Sequence, residues 1–294
     1  MVESVDEVRA ALLAHDYFAD DGLATAIFLA LSLGRPLLLE GEAGVGKTEV
    51  AKVLARWTGG ELLRLQCYEG IDASQALYEW DYSRQLLHLR AAEASGAPIV
   101  EDELYTERFL VRRPLLRAID HAGAVAPILL IDEIDRADDE FEAFLLELLS
   151  DYAVTIPELG EIRAQIPPVV ILTSNRTRDL HDALKRRCLY HWIDHPDFAR
   201  EVAIVERKAP GIAAVLAREV ATAAGALRTL DLFKPPGVAE TIDWAIALDR
   251  LGHVTLDDAA IEDTLGVILK YREDQDRVRG HGLASALRSG PSGD

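Results

Sequence analysis

The stretch GEAGVGKT, residues 41–48, decides the fold of this chain. It fits the pattern Gly-x-x-x-x-Gly-Lys-Ser/Thr at every fixed position, and it stands between an apolar run, RPLLLEG (35–41), and a predicted helix over 47–57. Glycines at these positions let backbone N–H groups converge on phosphate oxygens, and the start of the following helix adds a partial positive charge. The stretch therefore predicts a strand–loop–helix unit that binds nucleotide phosphates rather than an ordinary glycine-rich turn.

The positions of this phosphate loop have distinct expected roles. Lys47 is expected to reach the β- and γ-phosphates, and the hydroxyl of Thr48 is expected to hold Mg²⁺. The chain contains no Asn-Lys-x-Asp tetrapeptide, which guanine-specific relatives of this loop usually carry, so ATP is favoured as the nucleotide. We expect nucleotide contacts from Gly41, Glu42, Ala43, Gly44, Val45, Gly46, Lys47, Thr48 and Glu49.

Two acidic residues end another apolar run, ILLIDE. Ligands bind at the ends of parallel strands, so Asp132 and Glu133 are expected beside the phosphate loop. Asp132 suits a second Mg²⁺ partner, and Glu133 suits the general base that polarises the attacking water. The alternative is a solvated acidic loop, because the run DEIDRADDE is acidic throughout. We assign this surface role to Asp135, Asp138 and Asp139.

A further polar side chain follows the run PPVVILTSN. In the usual order of such sheets, this strand lies between the strand before the phosphate loop and the strand that ends in Asp132. Asn175 is then placed to orient the water or to sense the γ-phosphate. The alternative is an asparagine that only forms the turn after a strand.

Apolar runs alternate with helical patterns through the first two thirds of the chain, which predicts an α/β domain with a parallel sheet covered on both faces. The segment AVTIPELGEIRAQI predicts a hairpin. After His195-Pro196 every segment has helical periodicity. We therefore expect an α/β domain over 1–195, an all-helical domain over 196–275 and a flexible tail over 276–294. The five predicted sheet strands are RPLLLEG, ELLRLQ, APILLIDE, PPVVILTSN and CLYHWI.

The composition bears on partners and on the compartment. Acidic residues number 50 and basic residues 31, a formal net charge of −19, which works against binding nucleic acid or an anionic membrane. Cys67 and Cys188 make no disulfide framework and are expected to be buried thiols in a reducing compartment. The first residues do not resemble a signal peptide, and no apolar stretch reaches the length of about 20 residues that a membrane span needs. We expect a cytoplasmic protein.

A group of cations stands out on this acidic chain. Lys185, Arg186 and Arg187 are consecutive, where a predicted helix runs into the fifth strand. Basic residues at the end of a helix can simply complement its dipole. A cluster on an otherwise acidic protein can also serve to bind an anion.

The order of these features resembles the AAA+ ATPases, and within them the MoxR family. Longer phrases resemble the branch that accompanies molybdenum hydroxylases, such as the CoxD-type accessory ATPases of carbon monoxide dehydrogenase. The resemblance covers about Leu12 to Tyr271. These phrases are LLLEGEAGVGKTEVAKVLA, LQCYEG, YEWDYSRQLL, ALKRRCLYHW and KPPGVAETIDWA.

The resemblance implies an AAA+ core with a five-stranded parallel sheet, followed by a small all-α lid domain. Residues 67–90 would hold an insertion in the second helix, and residues 154–166 the hairpin before the fourth strand. Both inserts usually engage partners or substrate. The family further implies ATP with Mg²⁺ between the two domains, at a protomer boundary of a homo-oligomeric ring that is most often a hexamer. The partners implied are an adaptor with a von Willebrand factor A domain and a client metalloenzyme.

The resemblance also gives the cations a role. In such rings an arginine near the start of the fifth strand reaches the γ-phosphate held by the neighbouring protomer. Arg187 aligns best with it, and Arg186 is the alternate. The lid usually supplies a second sensing arginine, but this chain has Val238 at that position; Lys234 is a nearby substitute, or the role is absent.

The favoured function is therefore an ATP-hydrolysing remodelling chaperone for metalloenzyme maturation. One alternative is a nucleic-acid-linked AAA+ motor, which the charge disfavours. Another is a nucleotide-gated scaffold with little turnover, which Glu133 disfavours.

Overall fold

The computed structural model describes residues 2–95 and 101–280. The strands are β1 (Leu37–Glu40), β2 (Leu62–Gln66), β3 (Tyr78–Trp80), β4 (Leu110–Arg112), β5 (Ile128–Asp132), β6 (Ala153–Ile156), β7 (Gly160–Arg163), β8 (Val169–Ser174) and β9 (Leu189–Trp192). The helices are α1 (Val5–Ala14), α2 (Asp21–Leu33), α3 (Lys47–Thr58), α4 (Ala73–Leu77), α5 (Tyr82–Ser95), α6 (Pro114–Ile119), α7 (Asp139–Asp151), α8 (Asp182–Arg187), α9 (Phe198–Lys208), α10 (Ala214–Thr229), α11 (Val238–Arg250), α12 (Asp258–Ile268) and α13 (Arg272–Gly280).

Five strands form one parallel sheet in the order β2-β5-β8-β1-β9. The strands β1 and β5 are buried along their whole length, as expected for a parallel sheet covered on both faces. The register pairs Glu40 with Ser174 and Gln66 with Asp132, so the polar ends of neighbouring strands lie along one edge. The predicted α/β class and five-stranded parallel sheet are confirmed.

The helix α7 covers part of this sheet with one apolar face. Phe141, Leu145, Leu148 and Leu149 are buried at helical spacing and belong to the same core as Leu172 of β8. Asp138 caps the start of the helix by accepting a hydrogen bond from Phe141 N at 2.9 Å. The helix ends at Tyr152, which adopts a left-handed conformation with φ 48°.

The segment 67–90, which was expected to hold an insertion in the second helix, contains a strand as well as helices. After the short α4 the chain forms β3, which pairs antiparallel with β4. Trp80 of β3 is buried, and its ring lies 5.4 Å from that of Tyr105 in an edge-to-face arrangement. The sequence did not indicate these strands because each has three residues and the partner lies about thirty residues further along.

The predicted hairpin is present as β6 and β7, with Ala153 opposite Arg163 and Ile156 opposite Gly160. Gly160 has φ 86°, a left-handed conformation that favours glycine. The strands end at Arg163, earlier than the predicted limit of the segment at 166.

The described residues fall into two compact units. One holds residues within 2–11, 20–40 and 48–192, and the other holds residues 12–19, 41–47 and 193–280. The core of the second unit is made by helices α9 to α13, with Trp244, Leu216 and Leu265 fully buried in it. The division at residue 195 and the tail over 276–294 stay predictions. Within that tail, α13 extends to Gly280 and residues 281–294 lie outside the described residues.

None of the helices in the described part of the chain has the length and apolar composition needed to cross a membrane.

Candidate functional site

The phosphate loop leaves β1 at Gly41 and enters α3 at Lys47. Gly41, Gly44 and Gly46 have φ values of 155°, 81° and 95°, conformations that residues with a side chain rarely adopt. At Gly41 a Cβ atom would also lie 2.4 Å from the Ile193 carbonyl oxygen. The glycines of the motif therefore permit the backbone shape of this loop.

Lys47 points into its own loop. Its ammonium group donates hydrogen bonds to the carbonyl oxygens of Gly41 and Glu42, at 2.7 and 2.6 Å, and the side chain is buried. Phosphate oxygens that enter the loop would suit this ammonium group, because an anion neutralises its charge and a carbonyl does not.

The other predicted loop residues have varied surroundings. Val45 is buried, Ala43 is exposed, and Glu42 Oε2 lies 3.0 Å from His195 Nε2. Glu49 lies on α3 beside Lys52 and Arg56. Burial opposes ionisation of Glu49, but hydrogen bonds from Arg56 and Lys52 outweigh it and hold the pKa of this carboxyl below its ordinary value.

Thr48 and Asp132, predicted as the two metal-side residues, are in contact. The Thr48 hydroxyl donates to Asp132 Oδ1 at 3.0 Å, and the Thr173 hydroxyl donates to the same oxygen at 2.6 Å. Asp132 is buried at the carboxyl end of β5. Hydroxyl and carboxylate oxygens are ligands that Mg²⁺ prefers, so the donor set fits this ion. Asp132 and Thr48 are the residues that would hold it.

Arg64 is a member of this cluster that the sequence analysis missed. Its Nε and Nη2 atoms donate to Asp132 Oδ2 at 2.9 and 2.6 Å. Within β2 the side chain lies between the buried Leu63 and Leu65 and so faces away from them. The alternation in ELLRLQ indicated an outward arginine, but not its partner 68 residues away.

Glu133 directly follows β5 in a left-handed conformation with φ 55°. Its N–H donates to the Thr173 hydroxyl at 2.9 Å, and its Oε2 lies 3.3 Å from Arg136 Nη1. Such a backbone conformation is unfavourable for a residue other than glycine, by about 1–3 kcal/mol, and it is common at functional sites. The hydrogen bond from the backbone fixes this turn and leaves the carboxylate half-exposed.

Asn175 follows the end of β8, and β8 lies between β5 and β1 as expected. Its backbone N–H donates to Asp135 Oδ2 at 3.2 Å. Thr177 donates to the same oxygen through its N–H at 2.9 Å and its hydroxyl at 2.7 Å. The loop after β8 is therefore fixed by a carboxylate that belongs to the loop after β5.

The surface role predicted for Asp135 is wrong, because this side chain is 2% exposed. Donors from the loop after β8 take the place of water at its Oδ2 atom, whereas Oδ1 is buried without a hydrogen-bond partner among the described residues. Asp138 and Asp139 are exposed, as predicted. In the sequence alone, nothing separates the three aspartates of the acidic run.

The structure brings Arg186 and Arg187 to the end of α8 but gives them different surroundings. Arg187 donates through Nε and Nη2 to the Leu149 carbonyl oxygen, at 3.1 and 2.9 Å. Arg186 is exposed, and its guanidinium has no hydrogen bond or ion pair with any residue that the structure describes. Lys185 Nζ lies 3.6 Å from Asp179 Oδ1.

The residue at the expected position of the second sensing arginine contacts the phosphate loop through its backbone. Val238 N donates to the Gly44 carbonyl oxygen at 3.0 Å. Gly237 caps α11 and lies so close to Gly44 that a Cβ atom on Gly237 would be 2.7 Å from Gly44 Cα. Lys234 is exposed, and its backbone N–H donates to Asp274 at 3.1 Å.

The two cysteines are buried thiols, as expected. Burial, reinforced by the carboxylate of Asp132 nearby, raises the pKa of Cys67 to about 12. Burial also raises the pKa of Cys188 to about 12, although Arg35 and Arg187 oppose the rise. Both thiols are therefore neutral at physiological pH and poor nucleophiles.

Comparison with curated proteins gives relatives that are longer than this chain. The Escherichia coli (strain K12) protein YehL is 30% identical over 190 residues, which are 61% of this chain and 47% of YehL. The ClpE ATP-binding subunit of the ATP-dependent Clp protease from Lactococcus lactis is 27% identical over 187 residues, 60% of this chain and 22% of ClpE. The chain thus spans less than half the length of these relatives.

Among solved structures, a mutant of RuvB from Thermotoga maritima is similar in fold. It superposes with a TM-score of 0.51 at 17% identity, over 99% of this chain and 80% of RuvB. A family model described as AAA domain (dynein-related subfamily) matches residues 36–188. Since this match takes in more than half of the chain, from the phosphate loop to the arginine pair, the chain belongs to the AAA domain family, dynein-related subfamily.

Proposed function

We propose that this protein is an ATPase that binds ATP with Mg²⁺ through the phosphate loop and hydrolyses it. The observation that carries the proposal is the contact between Thr48 and Asp132. It joins the last residue of the phosphate motif to the end of β5, where Glu133 follows. Mg²⁺ bound to these oxygens would neutralise charge on the β- and γ-phosphates.

Lys47, Glu133 and Asn175 then have separate roles in hydrolysis. Lys47 exchanges the carbonyl oxygens of Gly41 and Glu42 for phosphate oxygens. Glu133 accepts a proton as a water oxygen attacks the γ-phosphorus and the bond to the β-phosphate oxygen breaks. The Asn175 side chain orients that water, and Asp135 keeps the loop of Asn175 in place.

The test compares Glu133→Gln with Glu147→Gln, an equally conservative change of an exposed glutamate on α7. Glu133→Gln is expected to lower ATP turnover by at least about 10²-fold while a fluorescent ATP analogue still binds. Lys47→Ala is expected to lose that binding. Glu147→Gln should behave as the wild type. A Glu133→Gln protein that hydrolyses ATP at the wild-type rate would remove the proposed base.

We further propose that the protein belongs to the MoxR branch of AAA+ proteins. We also propose that it is a chaperone, in which ATP hydrolysis remodels a metalloenzyme such as a molybdenum hydroxylase. The longer phrases of the sequence support this branch. The segment 67–90 adds a surface with exposed apolar side chains on α5, among them Tyr82, Leu86 and Leu87. Such a surface suits contact with another protein. The working form would be a cytoplasmic homo-oligomeric ring, most simply a hexamer, with a von Willebrand factor A-domain adaptor.

The chaperone proposal is tested by capture from the native host. The Glu133→Gln protein, loaded with ATP so that complexes persist, should recover a molybdenum hydroxylase or an adaptor that Lys47→Ala does not recover. Recovery of neither would count against the role. Hydrolysis stimulated by DNA would instead support a nucleic-acid motor, against which the net charge of −19 argues. Binding of ATP without turnover would support a scaffold.

A further inference from the structure

The segment 233–237, FKPPG, leads from α10 into α11 and has no role in the proposed function. Its last residue, Gly237, lies so close to the phosphate loop that a Cβ atom there would be 2.7 Å from Gly44 Cα and 2.9 Å from Ala43 O. The Gly44 carbonyl oxygen also accepts a hydrogen bond from Val238 N at 3.0 Å. The segment therefore lies directly against the backbone that would surround the phosphates, and whatever fixes the segment also supports that loop.

A largely buried arginine of α10 holds the end of this segment. Arg228 Nε donates to the Pro236 carbonyl oxygen at 2.8 Å, and Arg228 Nη2 donates to the Thr241 hydroxyl at 3.2 Å. The Thr241 hydroxyl in turn donates to the Gly237 carbonyl oxygen at 3.0 Å. One guanidinium group thus reaches two successive residues of the segment, one directly and one through Thr241.

The same guanidinium is fixed by a carboxylate from a third helix. Glu201 of α9 accepts two hydrogen bonds from it, from Nη1 to Oε2 and from Nη2 to Oε1, each at 2.7 Å. The Glu201 side chain is 2% exposed and that of Arg228 is 11% exposed, so this ion pair lies in the interior of the helical unit. Charges inside a protein need a partner, and a two-point contact also fixes the plane of the guanidinium. Glu201 therefore sets the direction in which Nε meets the segment.

The other end of the segment is held independently. The carboxylate of Asp274, on α13, accepts from Phe233 N at 2.7 Å and from Lys234 N at 3.1 Å, and this side chain is also buried. Between the two ends, Pro235 and Pro236 have φ angles that their rings restrict. A segment that is held at both ends and contains two prolines has little freedom to move away from the loop.

We propose that the buried pair of Arg228 and Glu201 supports the phosphate loop through the segment 233–237, and that Arg228 is a positioning residue for nucleotide binding. Arg228 acts through Pro236 and Gly237 and does not itself contact the nucleotide. The proposal rests on the proposed function, because it requires a nucleotide in the loop. Where the resemblance leads one to expect a sensing arginine, the helical unit then supplies a fixed backbone instead of a charge.

The experiment replaces the pair by apolar side chains of similar size. Such a replacement of a buried ion pair is often neutral or stabilising, whereas removal of one partner leaves an unpaired buried charge. The thermal midpoint of Arg228→Met/Glu201→Leu should therefore stay near that of the wild type. The Pro236 carbonyl oxygen loses its donor, however, and the segment relaxes away from the loop. The dissociation constant of a fluorescent ATP analogue should rise about tenfold.

Steady-state kinetics and a second variant separate positioning from stability. The KM for ATP should rise with the dissociation constant, while kcat at saturating ATP stays within about threefold of the wild type, because Glu133 and Asn175 are unchanged. Arg228→Lys keeps the charge that Glu201 needs, so this variant should fold. A lysine lacks the planar fork that reaches Glu201 and Pro236 together, and the analogue should bind at least about threefold more weakly.

Thr264→Val is the matched control within the same helical unit. It removes a buried hydrogen bond of 2.6 Å from Trp244 Nε1, which joins α11 to α12 and involves no residue of the segment 233–237. The variant should have a lower thermal midpoint, because the indole N–H is left buried without its acceptor. Its dissociation constant for the analogue should equal that of the wild type.

Two results would overturn the proposal. One is wild-type affinity in Arg228→Lys and in Arg228→Met/Glu201→Leu; if the double variant does not fold, Arg228→Lys alone decides. The other is a loss of affinity in Thr264→Val as large as theirs, because affinity would then only follow stability. Failure of the proposed function looks different, since Lys47→Ala would then bind the analogue as the wild type does, or neither protein would bind it.

Discussion

At the scale of single residues, Asp132 accepts hydrogen bonds from three side chains of the candidate site, and no motif in the sequence indicates all three. One carboxylate oxygen accepts from Thr48 and Thr173, and the other accepts from Arg64. Arg64 is half-exposed and Asp132 is buried, so solvent screens this ion pair from the side of the arginine. We expect Arg64 mainly to lower the affinity of Asp132 for the cation that it would bind.

Replacing Arg64 is therefore expected to strengthen the use of Mg²⁺. In the wild type, the positive charge of Arg64 repels a metal ion that binds the carboxylate of Asp132. Arg64→Met removes this charge. The Mg²⁺ concentration that gives half-maximal turnover should fall by up to about fivefold, the equivalent of an exposed ion pair. Arg117→Met, which removes an exposed pair with Glu61, is the control. A higher Mg²⁺ requirement in Arg64→Met would mean that the arginine orients Asp132 instead.

Asp135 is expected to be important for stability as well as for the loop of Asn175. Asp135→Ala leaves the part-buried donors of Asn175 and Thr177 without their acceptor. The free energy of unfolding should fall by about 2–3 kcal/mol, and ATP turnover should fall with it. Asp139→Ala, which removes an exposed carboxylate on the same run, should change stability by less than about 0.5 kcal/mol. Equal effects of the two substitutions in urea unfolding would contradict this account.

Because the two thiols are buried, we predict that the free energy of unfolding falls as the pH rises in the alkaline range. Unfolded thiols ionise near pH 9, whereas those of Cys67 and Cys188 in the folded chain stay neutral up to about pH 12. The unfolded state therefore loses protons first, and each thiol lowers the unfolding free energy by about 1.4 kcal/mol per pH unit between these limits. The stability that the raised pKa provides is complete below pH 9.

The measurement compares the thermal midpoint of the wild type with that of Cys67→Ala/Cys188→Ala from pH 7 to pH 11. The tyrosines titrate in both proteins, so only the thiols distinguish the two curves. The double variant should lose less stability above pH 9 than the wild type does. Parallel curves would show that the thiols ionise alike in the folded and unfolded states.

The sequence predicted those residues that a local motif defines and missed those defined by distant partners. Thr48 and Asp132 followed from the phosphate motif and from an acidic pair after a buried strand, and the structure places them in contact. The roles of Arg64 and Asp135 depend on partners 68 and about 40 residues away. No spacing within their own segments indicates such partners.

At the scale of the elements, α11 and the phosphate loop meet through their backbones. Gly44 and Gly237 lie close together, and Val238 donates to the Gly44 carbonyl at the place where relatives are expected to carry an arginine. A backbone contact of this kind depends on the absence of a side chain. It can support the shape of the loop but supplies no charge to a phosphate.

Gly237→Ala is expected to weaken nucleotide binding. The residue has φ −81°, which alanine adopts freely, so the only obstacle is a Cβ atom 2.7 Å from Gly44 Cα and 2.9 Å from Ala43 O. The added methyl group must push the loop, and the dissociation constant of a fluorescent ATP analogue should rise about tenfold, the equivalent of about 1.4 kcal/mol. Gly225→Ala within α10, where a Cβ atom meets nothing within 4 Å, is the control and should bind as the wild type does. Equal affinities in all three proteins would contradict a supporting contact.

Whether an element could be predicted from the sequence depended on its length and on how far away its partner lies in the chain. The five sheet strands were found because each is an apolar run long enough to stand out, and the hairpin was found from its alternation around a turn. The pair β3 and β4 was missed because three residues carry too little periodicity and the pairing is not local.

At the scale of the whole molecule, the sequence did not indicate which compact unit holds the phosphate loop. Residues 41–47 belong with the helical unit, although they follow a strand of the sheet, because Gly44 contacts Gly237 and Val238. These partners are nearly two hundred residues away, and only backbone atoms meet. Hydrophobic periodicity contains no information about such a contact. The net charge of −19, by contrast, is read directly from the composition and bears on the choice of partners.

The central claim is that the chain hydrolyses ATP with Glu133 as base, at a site completed by a second copy. The most direct measurement is the ATPase rate per chain with Mg²⁺, over a wide range of protein concentration, for the wild type and for Glu133→Gln. The account predicts a rate that rises steeply with concentration in the wild type and stays near zero in Glu133→Gln. A rate near zero for the wild type at every concentration, or an equal rate in Glu133→Gln, would contradict it.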